Sequence, residues 1–176
     1  MEKYIEVLLE RRNVRCVTRM LFEDAPKICN MIWAALPQQG ELFHAKYASN
    51  ELFTLVRDFS GGFSAAENLT VTPTIGDLLC FYFPPTWGFP RGTEHLRSDG
   101  RGLVDLAIFY DRNNMLLSPS AGFTPGTVFA RAVGDFEPMR EAGNRIWREG
   151  SAGEQLIFRQ FPPDEVSEAM KCGTLT

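Results

Sequence analysis

The short stretch from His44 to Glu51 is crowded with polar side chains, among them His44, Lys46, Tyr47, Asn50 and Glu51. Together they offer an imidazole, a cation, a phenol, an amide and a carboxylate, which is enough to line a small-molecule pocket or simply to pair across a sheet. A second concentration lies between Pro84 and Val104, where Trp87, Phe89, Arg91, His95, Arg97 and Arg101 are spaced by glycines and prolines. Aromatics with arginines suit a planar or carboxylated ligand, and they suit a protein interface equally well. A connector of about twenty residues is long for a compact domain and points to a lid or an interface arm beside the 43–51 segment. The expected ligand-binding set is therefore His44, Lys46, Tyr47, Asn50, Glu51, Trp87, Arg91 and His95.

Familiar catalytic and metal patterns are missing. His44 and His95 are the only histidines, and no H-E-x-x-H or similar spacing joins them to carboxylates, so no metal is expected. Ser60, Ser118 and Ser120 sit in Gly- or Pro-containing turns without a G-x-S-x-G elbow. Gly61-Gly62 lacks the remaining glycines of a phosphate loop, and no cofactor is implied. Asn68-Leu69-Thr70 is a formal glycosylation sequon that arises here by chance. Cys16, Cys29, Cys80 and Cys172 form no C-x-x-C pair and are expected as reduced thiols, mostly packed in the core.

With 44% hydrophobic and 23% charged residues in 176, the chain has the balance of one packed domain. A formal net charge of -4 makes nucleic acid a poor partner, because phosphate affinity depends on clustered Lys and Arg. Met1-Glu2-Lys3-Tyr4 opens no long apolar run, and no later run approaches the roughly 18 residues that span a bilayer, so a cytoplasmic location without membrane contact is expected.

The elements that must position the polar residues are mostly strands. Lys3 to Leu9 and Val14 to Phe22 alternate as a hairpin around Arg11-Arg12-Asn13. Asp24 to Leu36 has Pro26 in its first turn and Ile28, Ile32, Ala35 and Leu36 on one stripe, which predicts a helix stopped by Pro37 and Gly40. Strands are expected over Glu41 to Ala48, Glu51 to Asp58, Asn68 to Thr72, Leu78 to Phe83, Asp105 to Tyr110, Thr127 to Val133 and Glu154 to Phe161. A second helix is expected over Phe136 to Arg148, with Ile146 and Trp147 covering one end of the sheet. Pro162-Pro163 then releases a C-terminal tail, giving a domain over 1–161 and a tail over 162–176, the latter expected to be disordered. Many short strands with only two helices predict a mainly antiparallel closed β-barrel, since closure removes exposed edges.

Several pieces of the chain resemble an uncharacterised bacterial family of small cyclophilin-like β-barrel proteins. They are Asp24-Ala-Pro-Lys27, Gly40 to Glu51, Glu67 to Pro73, Gly76-Asp-Leu78, Asp105 to Tyr110, Pro125 to Ala130 and Gly153-Glu154. True cyclophilins are matched by the Asp-Pro-Lys helix entry, by Phe43-His44 and by the Gly126 to Phe129 strand. The resemblance implies the barrel. Ala45 stands where cyclophilins carry the arginine that weakens amide resonance at the prolyl bond, and Asn50 to Phe53 lacks their aromatic-x-x-Gln, so prolyl isomerisation is not expected. The sequence thus points to a non-catalytic module that binds a small metabolite, an anionic one among the options, or a protein partner, with a homo-oligomer open to it. The alternative is an enzyme, either a weak peptidyl-prolyl isomerase or a hydrolase-like activity without a familiar motif.

Overall fold

A computed structural model of the chain describes residues 2–62, 66–88, 93–97, 100–119 and 121–171. The alternating segments form β1 (Tyr4–Leu9), β2 (Val14–Met20), β5 (Glu51–Arg57), β7 (Asp77–Phe83), β8 (Leu103–Phe109), β11 (Gly126–Val133) and β12 (Gln155–Phe161). Shorter strands are β3 (Gln38–Glu41), β4 (Phe43–His44), β6 (Leu69–Thr70), β9 (Leu117–Ser118) and β10 (Gly122–Phe123). The helices are α1 (Pro26–Ala35), α2 (Glu137–Glu149) and α3 (Val166–Lys171).

The main sheet is antiparallel, in the order β3-β12-β1-β2-β11-β7-β8-β5-β4, with β6 added beside β11. It is open. β3 is bonded only to β12 and β4 only to β5, and no ladder joins these two ends among the described residues, which overturns the closed barrel expected from the strand count. Alternation specifies which face each side chain takes, but closure depends on stagger and tilt, which alternation does not encode. At the ends, β4 is two residues long, and β3 meets β5 through packing: a Cβ on Gly40 would come within 2.4 Å of Thr54 Oγ1. The expected strand over 41–48 is also broken, since the chain leaves the ladder after His44.

One face of the sheet carries the principal core. Ile5, Val7 and Leu9 of β1, Leu52 and Val56 of β5, Leu78 of β7, Leu106 and Ile108 of β8 and Phe129 of β11 meet Ile28 and Ile32 of α1 and Met139 and Ile146 of α2. Phe129 and Phe158 are fully buried, and removing each from water contributes about 1.5–3 kcal/mol. Both helices therefore lie on this face. Trp147, expected to cover an end of the sheet, is instead 68% exposed while Ile146 points inward.

Helix α1 is capped from a distance. Its first free amides, on Lys27 and Ile28, donate to the Glu67 carboxylate at 3.0 and 3.1 Å. On the opposite sheet face, Leu79, Phe81, Ala107, Phe109 and Val128 pack beneath Leu21, Ala48 and Leu116. The central strands are thus buried on both faces, and β8 reads as a nearly unbroken apolar run for that reason. The C-terminal segment is not extended: Val166 of α3 packs with Tyr4, Val17 and Phe161.

Candidate functional site

The second face also carries a cleft of about 220 Å³. Period-two geometry puts Glu51 and Phe53 of β5, Phe81 and Phe83 of β7 and Asp105 of β8 on one side of the sheet. Phe53 lies opposite Ala107 in the β5–β8 ladder, and Phe81 lies opposite Asp105 in the β7–β8 ladder. Ala107 thus adds only a methyl group between the two aromatic strands. All five of the named residues line the cleft, together with Trp87 and the 45–48 segment, and Leu116, Ser118 and Thr124 close the remaining side. The aromatic wall is continuous: Phe81 stacks on Phe83 with centroids 6.2 Å apart, and Phe83 on Trp87 at 5.2 Å. Phe53 is held from behind by Phe43 at 5.4 Å.

The two carboxyls are the unusual part of this lining. Glu51 is 6% exposed and Asp105 5%. Oδ1 of Asp105 is buried and no hydrogen-bond donor among the described residues reaches it. Burial pushes the Glu51 carboxyl up to about 8, and burial together with the nearby Glu51 charge pushes Asp105 well above the usual carboxylate range. A carboxyl is kept in such a place only by accepting a proton or by meeting a donor from outside.

Of the residues expected from sequence, Lys46, Tyr47, Glu51 and Trp87 line the cleft. His44 turns away from it. Its Nδ1–H donates to the Ala45 carbonyl at 2.7 Å, and the Tyr110 hydroxyl donates to Nε2 at 2.8 Å, an arrangement that fixes the tautomer. Burial lowers the His44 pKa, so the ring stays neutral at pH 7. Asn50 latches the turn: its side chain donates to the Arg112 carbonyl at 2.6 Å, and its amide donates to Asn114 Oδ1 at 3.0 Å. His95 is exposed on a short 3₁₀ turn, Glu94–Arg97, and its carbonyl accepts from Arg57 at 3.4 Å. Arg91 lies outside the described residues, as does part of the expected lid, whose Trp87 nonetheless reaches the cleft.

Asp105, Phe53, Phe81 and Phe83 were missed. A signal for Asp105 was present: one carboxyl inside Leu-Val-Asp-Leu-Ala-Ile-Phe, a strand apolar on both faces, has no solvated side to occupy. The aromatics gave no such signal, because alternation alone does not distinguish a cleft wall from a core.

Other sequence expectations can be placed as well. Cys16, Cys29 and Cys80 are buried free thiols, and Cys172 lies outside the described residues. No group of three or more His, Cys, Asp or Glu side chains among the described residues is arranged to hold a metal ion. None of the helices among the described residues is long and apolar enough to cross a membrane.

Residues 7–158 match the family described as "Protein of unknown function (DUF3830)". No curated protein matches the chain. Among solved structures, that of McbB in complex with tryptophan is similar at 18% identity with a TM-score of 0.62, over 88% of this chain and 44% of McbB. The chain therefore spans less than half of McbB. The hypothetical protein AF2241 from Archaeoglobus fulgidus is similar at 15% identity with a TM-score of 0.51, over 90% of this chain and 94% of that one. At these identities the likeness concerns the fold.

Proposed function

This chain belongs to the DUF3830 family, and we propose that its cleft binds a small planar molecule whose ring lies against Phe53, Phe81, Phe83 and Trp87 and whose N–H or cationic group meets Glu51 and Asp105. The observation that carries this reading is the buried Asp105 oxygen left without a donor at the floor of an aromatic cleft. A buried acceptor of this kind costs free energy unless a partner supplies the hydrogen bond. At about 220 Å³ the cleft is smaller than the roughly 300–1,000 Å³ of pockets for drug-sized ligands, so it suits one or two fused rings. McbB, which shares the fold over part of its length, was solved in complex with tryptophan, a molecule that combines such a ring with an amine. The anionic ligand entertained from sequence fits less well, because two carboxyls stand at the floor and, among the described residues of the lining, only Lys46, exposed at the rim, offsets them.

The test is a melting series with indole, tryptamine, tryptophan and benzoate. A ligand present at one hundred times its Kd adds about 2.7 kcal/mol, which for a chain of this size raises Tm by roughly 5–10 °C. Indole and tryptamine are expected to give such shifts, benzoate little, and Trp87→Ala to reduce them. Equal shifts with all four compounds, or none with any, would contradict the reading.

A further inference from the structure

We infer that Glu51 and Asp105 form a proton-transfer centre, Glu51 as general base and Asp105 as general acid, acting on a planar ring compound whose C–H or N–H is acidified by a conjugated heteroatom. This rests on the binding reading above and adds a reaction to it. Four observations converge. The two carboxyls stand on adjacent strands on one side of the sheet and line the same cleft. Both are nine-tenths or more buried. Oδ1 of Asp105 has no donor among the described residues, so it is free for a substrate atom. The surrounding wall is aromatic, which strips water from a carboxylate and raises its basicity.

The division of roles follows from the electrostatics. When Glu51 is ionised, its charge holds the proton on Asp105, so the pair carries one base and one acid at the same time. In the reaction the Glu51 carboxylate takes a proton from the substrate C–H or N–H. The freed electron pair moves through the conjugated system to the heteroatom, and Asp105 delivers its proton there. The product is a tautomer of the substrate. The proton then passes from Glu51 back to Asp105 through solvent, so no oxidant, reductant or co-reactant is consumed. Among the described residues, the other titratable groups of the lining are Lys46 and Tyr47 from the 45–48 segment, while Cys80 of β7 is held as a thiol by burial. Ser118 adds a hydroxyl from β9.

Nitrobenzisoxazole is a suitable probe, being a flat bicyclic compound that opens when a desolvated base removes its ring C–H. The C–H electrons become the second π bond of a nitrile, the N–O bond breaks, and the oxygen leaves as a coloured cyanonitrophenolate. The full chain is expected to exceed an equal concentration of acetate by about 100-fold or more, within the range of positioned general bases. The rate should climb with pH, reach half its maximum near about 8, where Glu51 is half ionised, and level off above that. Glu51→Gln should return it to the acetate background with Tm retained or raised, Asp105→Asn should lower it about tenfold, and Glu6→Gln, outside the cleft on β1, should leave it unchanged.

Binding is followed in parallel with nitrobenzotriazole, an unreactive isostere, by quenching of tryptophan fluorescence. Quenching without acceleration would overturn proton transfer and leave the binding reading standing, whereas neither quenching nor acceleration would overturn both. Full acceleration in Glu51→Gln would also overturn the proposal. Should that variant fail to fold, the wild-type profile decides: a rate that levels off below about pH 6 is that of an ordinary exposed carboxylate, and it would overturn the assignment.

Discussion

Burial pushes the Glu51 carboxyl up to about 8, so between the ordinary value of 4.5 and about 8 the unfolded chain has released its proton while the folded chain retains it. The stability this group contributes is complete below about 4.5 and is lost progressively as the pH rises towards 8. Asp105 acts with the same sign, since its folded pKa is also raised. Glu51→Gln removes the titration while keeping size and polarity, so the variant should be more stable than the wild type at pH 8, by an amount on the order of 4 kcal/mol, and equal to it near pH 4. Chemical denaturation at a series of pH values measures this directly, and parallel curves would show that Glu51 is solvated. A residue whose removal stabilises the fold is held there for another purpose, which is the usual signature of a functional site. Only part of this site was legible in the sequence: Trp87 as an aromatic of the long 84–104 segment, and a polar cluster. Lys46, Tyr47 and Glu51 were visible as a cluster, but their spacing said nothing of Asp105, which is distant in the chain and reaches the cleft through the β5–β8 ladder.

Elements are joined by single residues whose roles depend on contacts far along the chain. Glu154, just before β12, is fully buried and accepts from the Arg11 and Arg12 amides at 2.7 and 3.1 Å and from Arg12 Nη1 at 2.9 Å. Burial alone would raise its pKa, but these donors and the Gln155 amide outweigh burial and lower it. Its contribution is therefore present above the ordinary 4.5 and is lost as the pH falls through the lowered value, opposite in sign to that of Glu51. Glu154→Ala leaves the donors of the β1–β2 turn unmet in a buried place and should cost about 1–3 kcal/mol at pH 7, with a smaller loss for Gln. A second junction is Gly143 of α2, where an added Cβ would fall 2.4 Å from the Tyr110 ring. Alanine would favour the helix by about 0.8–1.0 kcal/mol, yet Tyr110 is 1% exposed and tied to His44, so the ring has no space to yield. Overpacking of about 1–3 kcal/mol should prevail, and Gly143→Ala should lower Tm. An increase in Tm would mean that α2 can slide away from the sheet. The two longer helices were legible as amphipathic stripes, because a 3.6-residue period needs no knowledge of the partner. The Glu67 cap on α1 and the fit of Gly143 against Tyr110 were not legible, because each depends on a residue more than thirty positions away.

For the molecule as a whole, the consequential difference from the sequence reading is the open sheet. Alternation located the long strands to within a few residues, but a closed and an open sheet present the same pattern of faces, and only the path of the end strands separates them. Here the ends are weak for local reasons. β4 is only two residues long before the chain turns to build the cleft wall with Ala45 to Ala48, and β3 is bonded to β12 alone. The cleft follows from this departure, since a β4 continuing alongside β5 would carry residues 45–48 in the ladder instead of over Glu51. Amide hydrogen exchange should register the arrangement. Amides of β1, β2, β7 and β8, each flanked by strands on both sides, should exchange near the rate set by global unfolding. Among Gln38 to Glu41 of β3, the amides bonded to β12 should be protected and those facing β5 should exchange orders of magnitude faster. Uniform protection along β3, matching that of β1, would mean that β3 and β5 are hydrogen-bonded in solution and that the sheet closes.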